Sequence, residues 1–183
     1  MKFTVLSKIS NRRQFSLRMA SVGSLVGLSG LISPVSASAA QSDEISSNQE
    51  AIHQETLFKA AASRVYKALT EAKEFAQITE LSMPGGAADI SGEVGGAFSL
   101  FGGHITGRHI ELVPNERIVQ AWRDGGWAPG VYSIARFELH PSGSETRLIF
   151  DHTGFPRGSA AHLAEGWKSH YWEPLAKYLG TSK

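Results

Sequence analysis

The chain has 183 residues, of which 42% are hydrophobic, so it is long enough to form one domain with a buried core. It has no cysteine, which excludes disulfides, thiolate metal sites, a cysteine nucleophile and lipoprotein attachment. Residues 1–40 hold five basic side chains and no acidic one, which leaves 13 basic and 17 acidic side chains, a net charge of −4, for the rest. That acidic remainder lacks the basic surface that nucleic acids require, so no nucleic-acid partner is expected.

Residues 1–39 have the three parts of an export signal peptide. A basic segment ends at Arg18, an uncharged apolar stretch follows from Met19 to Val35, and small residues then offer cleavage after Ala39 or Ala40. We therefore expect a periplasmic or secreted protein.

The pair Arg12-Arg13, followed by Phe15, resembles the twin-arginine export motif. The match covers only these three residues, because the sequence departs from the motif at Asn11, Ser16 and Leu17. An ordinary secretory signal that contains Arg-Arg is the alternative. We expect no stable membrane insertion after cleavage, because the apolar stretch is short and interrupted by Gly23, Gly27, Gly30 and Pro34.

Polar residues dominate positions 40–50, which predicts a flexible spacer before a domain at 51–183. The imperfect alternation over Ala51–Lys59 predicts a first strand. Ser63 is the predicted N-cap of a first helix, and a second helix is predicted over Ala72–Leu81.

From Ala88 onward the hydrophobic period changes to two, which predicts strands joined by Gly- and Pro-rich turns. Connections this short are typical of antiparallel hairpins and exclude βαβ crossovers. The predicted strands are Ala97–Phe101, His104–Val113, Arg117–Asp124, Val131–His140 and Thr146–His152.

A long helix is predicted from Ser159 to Leu179, with a kink near His170 because Pro174 cannot donate to that carbonyl. One stripe of this helix is apolar and consists of Leu163, Trp167, Tyr171, Pro174 and Tyr178. The order of elements predicts an α+β fold in which the long helix packs on one sheet face.

Several short pieces then occur in a recognisable order: Val94–Phe98, Gly107–Val119, Ala121–Arg123, Phe137–Leu139, Thr146–Leu148, His152–Phe155 and Gly166–Trp167. Together they resemble the activator-of-heat-shock-protein-90-ATPase homologue domain of the START/SRPBCC superfamily, and the resemblance covers residues 52–180. It implies a helix-grip fold, in which a curved antiparallel sheet wraps around a long C-terminal helix and leaves a cavity between them.

The resemblance also implies a range of functions. Members of the superfamily bind lipids, hormones and other apolar small molecules, and some are cyclases, hydrolases or lyases. The eukaryotic namesake stimulates a chaperone ATPase, a role that an exported protein could not perform on a cytosolic chaperone. Fold therefore leaves function open.

Our leading hypothesis is a non-catalytic or weakly catalytic protein that holds an apolar small molecule between helix and sheet, without a cofactor. Strand alternation and the helix stripe predict the ligand-binding residues as Trp122, Phe137, Leu139, Leu148, Phe150, His152, Leu163, Trp167 and Tyr171.

Two alternatives stay open. His152 could transfer protons with a neighbouring Tyr or Glu, although it could equally bond to backbone and orient the turn into the helix. Alternatively, the outer sheet face or the Trp127 loop docks a protein partner. No metal site is expected, because His104 and His109 fall on opposite faces of one strand and His162 lies two helical turns from His170.

Overall fold

The computed structural model describes residues 50–181, so the predicted signal peptide and most of the predicted spacer lie outside the described residues. This part of the chain is one antiparallel seven-stranded sheet with helices against its inner face. Its elements are β1 (Ala51–Phe58), α1 (Ala62–Thr70), α2 (Ala72–Thr79), β2 (Asp89–Ile90), β3 (Ala97–Leu100), β4 (Ile105–Val113), β5 (Arg117–Asp124), β6 (Ser133–Ser142), β7 (Glu145–Thr153), α3 (Ala160–Trp167), a π-helical turn (Lys168–Trp172) and α4 (Glu173–Thr181).

The strands pair in the order β1-β7-β6-β5-β4-β3-β2, and every neighbouring pair is antiparallel. The predicted α+β class and antiparallel pairing are confirmed. The sequence gives no clear signal for β2, because two residues are too few to establish a period.

The inner sheet face forms the core. Trp122, Phe137, Leu139, Leu148, Phe150 and His152 are each at most 4% exposed, as strand alternation predicts. A register shift lies between His109 and Glu111, where β4 carries a bulge against β5. Bulges increase the local bend and twist of a strand, which helps this sheet to curve over the helix.

The C-terminal helical segment packs its predicted stripe inward: Leu163, Trp167, Tyr171, Pro174 and Tyr178 are all buried. The interruption expected at Pro174 takes the form of the π-helical turn, in which the Glu173 N–H bonds to the Lys168 carbonyl. Ser159 makes no side-chain cap at the start of α3. The carboxylate of Glu50 accepts instead from the N–H groups of Gly158 at 3.0 Å and Ala160 at 3.2 Å.

The predicted N-cap of the first helix is wrong. Helix α1 begins at Ala62, its cap position is Ala61, and no side chain bonds there, so Ser63 lies inside the first turn. Burial of Val65, Ala68 and Leu69 fixes this helix instead. Within the described residues, no helix is both long and apolar enough to cross a membrane.

Candidate functional site

A cavity of about 210 Å³ lies between the C-terminal helical segment and one end of the sheet. Its sheet side comes from the start of β4 and the end of β5, and its helix side from α3 and the π-helical turn. The lining residues are Met83, Phe101, His104, Ile105, Trp122, Asp124, His162, Leu163, Gly166, Trp167, His170 and Tyr171.

The predicted ligand-binding residues divide into two groups. Trp122, Leu163, Trp167 and Tyr171 line the cavity. The other five predicted residues lie in the packed core and do not line this cavity: Phe137, Leu139, Leu148, Phe150 and His152.

Side chains from the helix fill the space in front of those five residues. The ring of Trp167 lies 4.3 Å from that of Phe150 and 5.8 Å from that of Phe137, measured between centroids. Trp172 stacks on Trp167 at 5.6 Å and contacts Phe150 at 5.1 Å. These contacts close the centre of the grip and leave the cavity at one end.

His152 is fully buried in a chain of hydrogen bonds. The indole N–H of Trp167 donates to its Nδ1 across 3.0 Å, and its Nε2 lies 2.7 Å from the hydroxyl of Ser133. That hydroxyl in turn donates to the carbonyl of Trp122 across 3.0 Å. An indole nitrogen can only donate, so Nδ1 accepts and the hydrogen of the neutral imidazole is on Nε2.

This arrangement does not support proton transfer by His152. Burial lowers the pKa of the imidazole to about 4. Its hydrogen-bond partners are the non-titrating side chains of Ser133 and Trp167, and the ring does not line the cavity. Ser133 and His152 resemble a nucleophile–base pair, but Nε2 carries a hydrogen and cannot accept the serine proton. The pair therefore joins β6, β7 and α3 rather than activating a substrate.

Three buried polar atoms on cavity residues make no hydrogen bond within the described chain: Nε1 of Trp122, Nδ1 of His170 and the hydroxyl of Tyr171. Burial raises the pKa of Tyr171 far above its ordinary value, and the nearby Trp122 N–H opposes this effect only in part. The phenol therefore stays protonated and can donate. Polar groups this deeply buried are normally paired, so their presence at a cavity indicates a place where a bound molecule could satisfy them.

The π-helical turn determines which residues reach this wall. His170 and Tyr171 are consecutive within it, and both line the cavity while Trp172 faces the core. π-Helical turns are rare and occur often at functional sites. Pro174, visible in the sequence, was the signal for an irregularity here, but it did not indicate the type of turn.

At the mouth of the cavity, Nε2 of His104 lies 3.4 Å from the carboxylate of Asp124. The other carboxylate oxygen of Asp124 accepts from the Gly126 N–H across 2.7 Å. Sequence reasoning missed both residues, because each lies at the end of a strand where alternation no longer predicts a side-chain direction. Phe101 was also missed, since it adopts a positive φ of 52° in the turn between β3 and β4.

The histidine within β4, His109, is an isolated buried group. His109 is 1% exposed, pairs across the sheet with Gln120 and lies 5.4 Å from the Phe98 ring. Neither ring nitrogen has a hydrogen-bond partner among the described residues, and burial lowers its pKa. Across residues 50–181, no three His, Cys, Asp or Glu side chains gather as metal ligands would.

The surfaces considered for protein docking are less distinctive. Trp127 packs edge-on against Trp122 at 5.4 Å, and Arg123 fixes its loop by donating to the carbonyls of Trp127 and Ala128. On the outer sheet face, exposed Ile110 on β4 and Ile134 on β6 are separated by β5. Neighbouring strands are about 4.8 Å apart, so strands separated by a third strand are about 10 Å apart. The two isoleucine side chains therefore do not form a contiguous patch.

A curved antiparallel sheet closed over a C-terminal helix, with a cavity between them, defines a helix-grip protein. The family model described as "Activator of Hsp90 ATPase homolog 1-like protein" matches residues 59–180. The chain therefore belongs to this family, as the sequence motifs indicated.

Relatives agree with this assignment. The chain is 29% identical over 129 residues to mouse activator of 90 kDa heat shock protein ATPase homolog 2, a match covering 70% of this chain and 38% of the relative. It is 27% identical over 93 residues to the human homolog 1, covering 51% of this chain and 28% of the relative. The chain thus spans less than two fifths of the length of these relatives.

Solved structures support the fold. An HSP90 activator from Plasmodium falciparum has a TM-score of 0.64 at 23% identity, with 71% of this chain and 96% of that chain covered. A protein from Chromobacterium violaceum has a TM-score of 0.59 at 25% identity, with 72% and 98% covered.

Proposed function

We propose that this protein binds an apolar small molecule in the cavity between the C-terminal helix and the sheet. The observation that carries the proposal is a cavity of about 210 Å³ beside a core that is otherwise closely packed. Its walls are largely aromatic and aliphatic, including Phe101, Ile105 and Leu163. Apolar walls with few polar groups are typical of small-molecule sites.

The size of the cavity limits the ligand. A dry cavity of roughly 150 Å³ accommodates benzene. The larger volume here suits a molecule of about ten non-hydrogen atoms, such as a bicyclic hydrocarbon, rather than a sterol or a complete lipid.

Gly166 provides a steric test. It lies on the cavity wall in α3, and a Cβ added there meets no heavy atom within 4 Å. We expect Gly166→Leu to reduce binding of indane, a bicyclic hydrocarbon, by at least tenfold in a calorimetric titration. Gly180→Leu is the matched control, because Gly180 is also helical and unobstructed but does not line the cavity.

Native mass spectrometry of the purified protein complements the titration by detecting a co-purified small molecule. Failure of indane to bind wild type, or equal binding by wild type and Gly166→Leu, would contradict the proposal.

A protein-interaction role is the second candidate and an alternative to export, because the mouse and human relatives are named activators of a heat-shock protein ATPase. The test is whether the purified chain increases the ATPase rate of a 90 kDa heat-shock protein. An unchanged rate at saturating concentration would remove this candidate while leaving the cavity proposal unaffected.

Export is the remaining part of the proposal. The basic segment with Arg12 and Arg13, followed by an uncharged apolar stretch, supports a twin-arginine route to the periplasm. We expect cell fractionation to find a processed form beginning at Ala40 or Gln41, and Arg12→Lys with Arg13→Lys to leave the precursor in the cytoplasm. Normal export of that double variant would instead favour the ordinary secretory route.

A further inference from the structure

The cavity has two hydrogen-bond donors that point to a specific kind of ligand atom. Trp122 and Tyr171 are 3% and 6% exposed, and neither Nε1 of the indole nor the phenol oxygen has a partner in the described part of the chain. The indole N–H also lies close enough to the phenol oxygen to lower the pKa of the phenol as a hydrogen-bond donor would, but the two atoms do not reach hydrogen-bond geometry. One comes from β5 and the other from the π-helical turn, so both walls contribute a donor to the same region.

A single carbonyl oxygen fits both donors. A carbonyl oxygen has two lone pairs and can accept from both groups. A ligand group that donates would leave the indole N–H unpaired. Nδ1 of His170 is the third unpaired atom. It acts as donor or acceptor according to its tautomer, so it can pair with either an acceptor or a donor on the ligand.

Charge restricts the ligand further. The carboxylate of Asp124 is at the mouth and disfavours a negative charge at Tyr171. Neither lysine nor arginine is among the described residues that line the cavity. The imidazole of His104 already lies 3.4 Å from that carboxylate, and the other lining histidines, His162 and His170, carry a charge only when protonated. An anionic ligand would thus meet a carboxylate and no permanent cation, so we infer that the oxygen belongs to an uncharged group.

We propose that the ligand is a small, uncharged carbonyl compound with a ring-containing apolar body, whose carbonyl oxygen accepts from Trp122 Nε1 and the Tyr171 hydroxyl. This inference rests on the proposed binding of a small molecule in the cavity and specifies its chemistry. The body of the ligand packs against Phe101 and Trp167, and the volume allows about ten non-hydrogen atoms.

Four probes that share the indane ring system test the proposal: 1-indanone, indane, indane-1-carboxylate and its uncharged isostere indane-1-carboxamide. We expect calorimetric titration to show 1-indanone binding about tenfold more tightly than indane, because it satisfies two buried donors. The carboxylate should bind at least tenfold more weakly than the carboxamide, which has the same shape without the charge.

Tyr171→Phe removes one donor and keeps the ring. It should weaken 1-indanone binding about fivefold while leaving indane affinity within twofold. Tyr132→Phe is the matched control, since Tyr132 is 51% exposed and does not line the cavity. It should change neither affinity.

The indole N–H resonances give an independent readout. The chain has four tryptophans, and the signal of Trp122 is identified by its loss in Trp122→Phe. We expect that signal to move downfield with 1-indanone and to move less with indane. Equal affinity for the two probes, with no downfield shift at Trp122, would overturn the carbonyl inference and leave hydrocarbon binding intact. Failure of both to bind would overturn the proposed function as well.

Discussion

The indole N–H of Trp167 donates to Nδ1 of His152 across 3.0 Å, inside a core where neither residue is more than 2% exposed. The bond joins the last strand to helix α3 and determines which imidazole nitrogen carries the hydrogen. It also holds the Trp167 ring in place, with one part against Phe150 and another at the cavity wall. The same side chain therefore closes the core and shapes the site.

Replacing His152 with phenylalanine tests this role. His152→Phe keeps a ring of similar size but leaves the Trp167 N–H buried without an acceptor, so we expect a loss of about 2–3 kcal/mol in the free energy of unfolding. Urea denaturation measures it. His140→Phe, on the exposed end of β6, is the control and should change stability by less than about 0.5 kcal/mol. Equal effects of the two substitutions would contradict the structural role.

Acid should destabilise the protein through the same residue. Unfolded histidine binds a proton near its ordinary pKa of about 6.5, whereas burial lowers the pKa of native His152 to about 4. Between these values the unfolded state binds more protons, so stability is complete above pH 6.5 and falls as the pH drops towards 4. The shift corresponds to at most about 3 kcal/mol.

Urea denaturation at a series of pH values measures this slope in wild type and His152→Phe. His109 contributes with the same sign, because burial also lowers its pKa. We therefore expect the variant to have a shallower slope rather than none. An unchanged slope would assign the acid sensitivity to other groups.

Sequence reasoning predicted most of the fold because apolar and polar residues alternate over long strands, and this alternation determines which sheet face each residue lies on. In β6 and β7, residues such as Phe137 and Phe150 were placed on the inner face, and both are at most 2% exposed. The helix stripe from Leu163 to Tyr178 was equally clear. A shift of one residue in the strand register would have exposed the inward-facing residues to solvent, so the hydrophobic period determines which face is buried.

The candidate site was predicted less completely, for two physical reasons. Alternation identifies inward residues but not how far helix side chains fill the space in front of them, and Trp167 covers Phe150. Periodicity also ends with the strand, so Asp124 and His104 at the cavity mouth gave no signal. The unpaired Tyr171 hydroxyl depends on three-dimensional packing that no short sequence pattern encodes.

Gly107 should not tolerate a side chain. A Cβ there would lie 2.1 Å from the carbonyl oxygen of Ala121 and 2.3 Å from the ring of Phe98, which packs over this glycine. We expect Gly107→Ala to lower the free energy of unfolding by about 1–3 kcal/mol, as overpacking does in other cores. Gly92→Ala is the control, because a Cβ at that loop position meets nothing within 4 Å. Thermal denaturation of the two variants should differ clearly, and similar midpoints would show that β3 and β5 both shift to accommodate the methyl group.

Gly166→Ala should have the opposite effect on stability. Gly166 is within α3, its φ is not positive and an added Cβ meets no neighbour within 4 Å. Alanine reduces the backbone entropy lost on folding, so we expect a gain of about 0.5–1 kcal/mol in urea denaturation. Gly180→Ala, close to the end of α4, should gain less because helix ends fray. A loss of stability at Gly166 would mean that this part of the cavity wall cannot accept even a methyl group, and the steric argument made for Gly166→Leu would then need a different position.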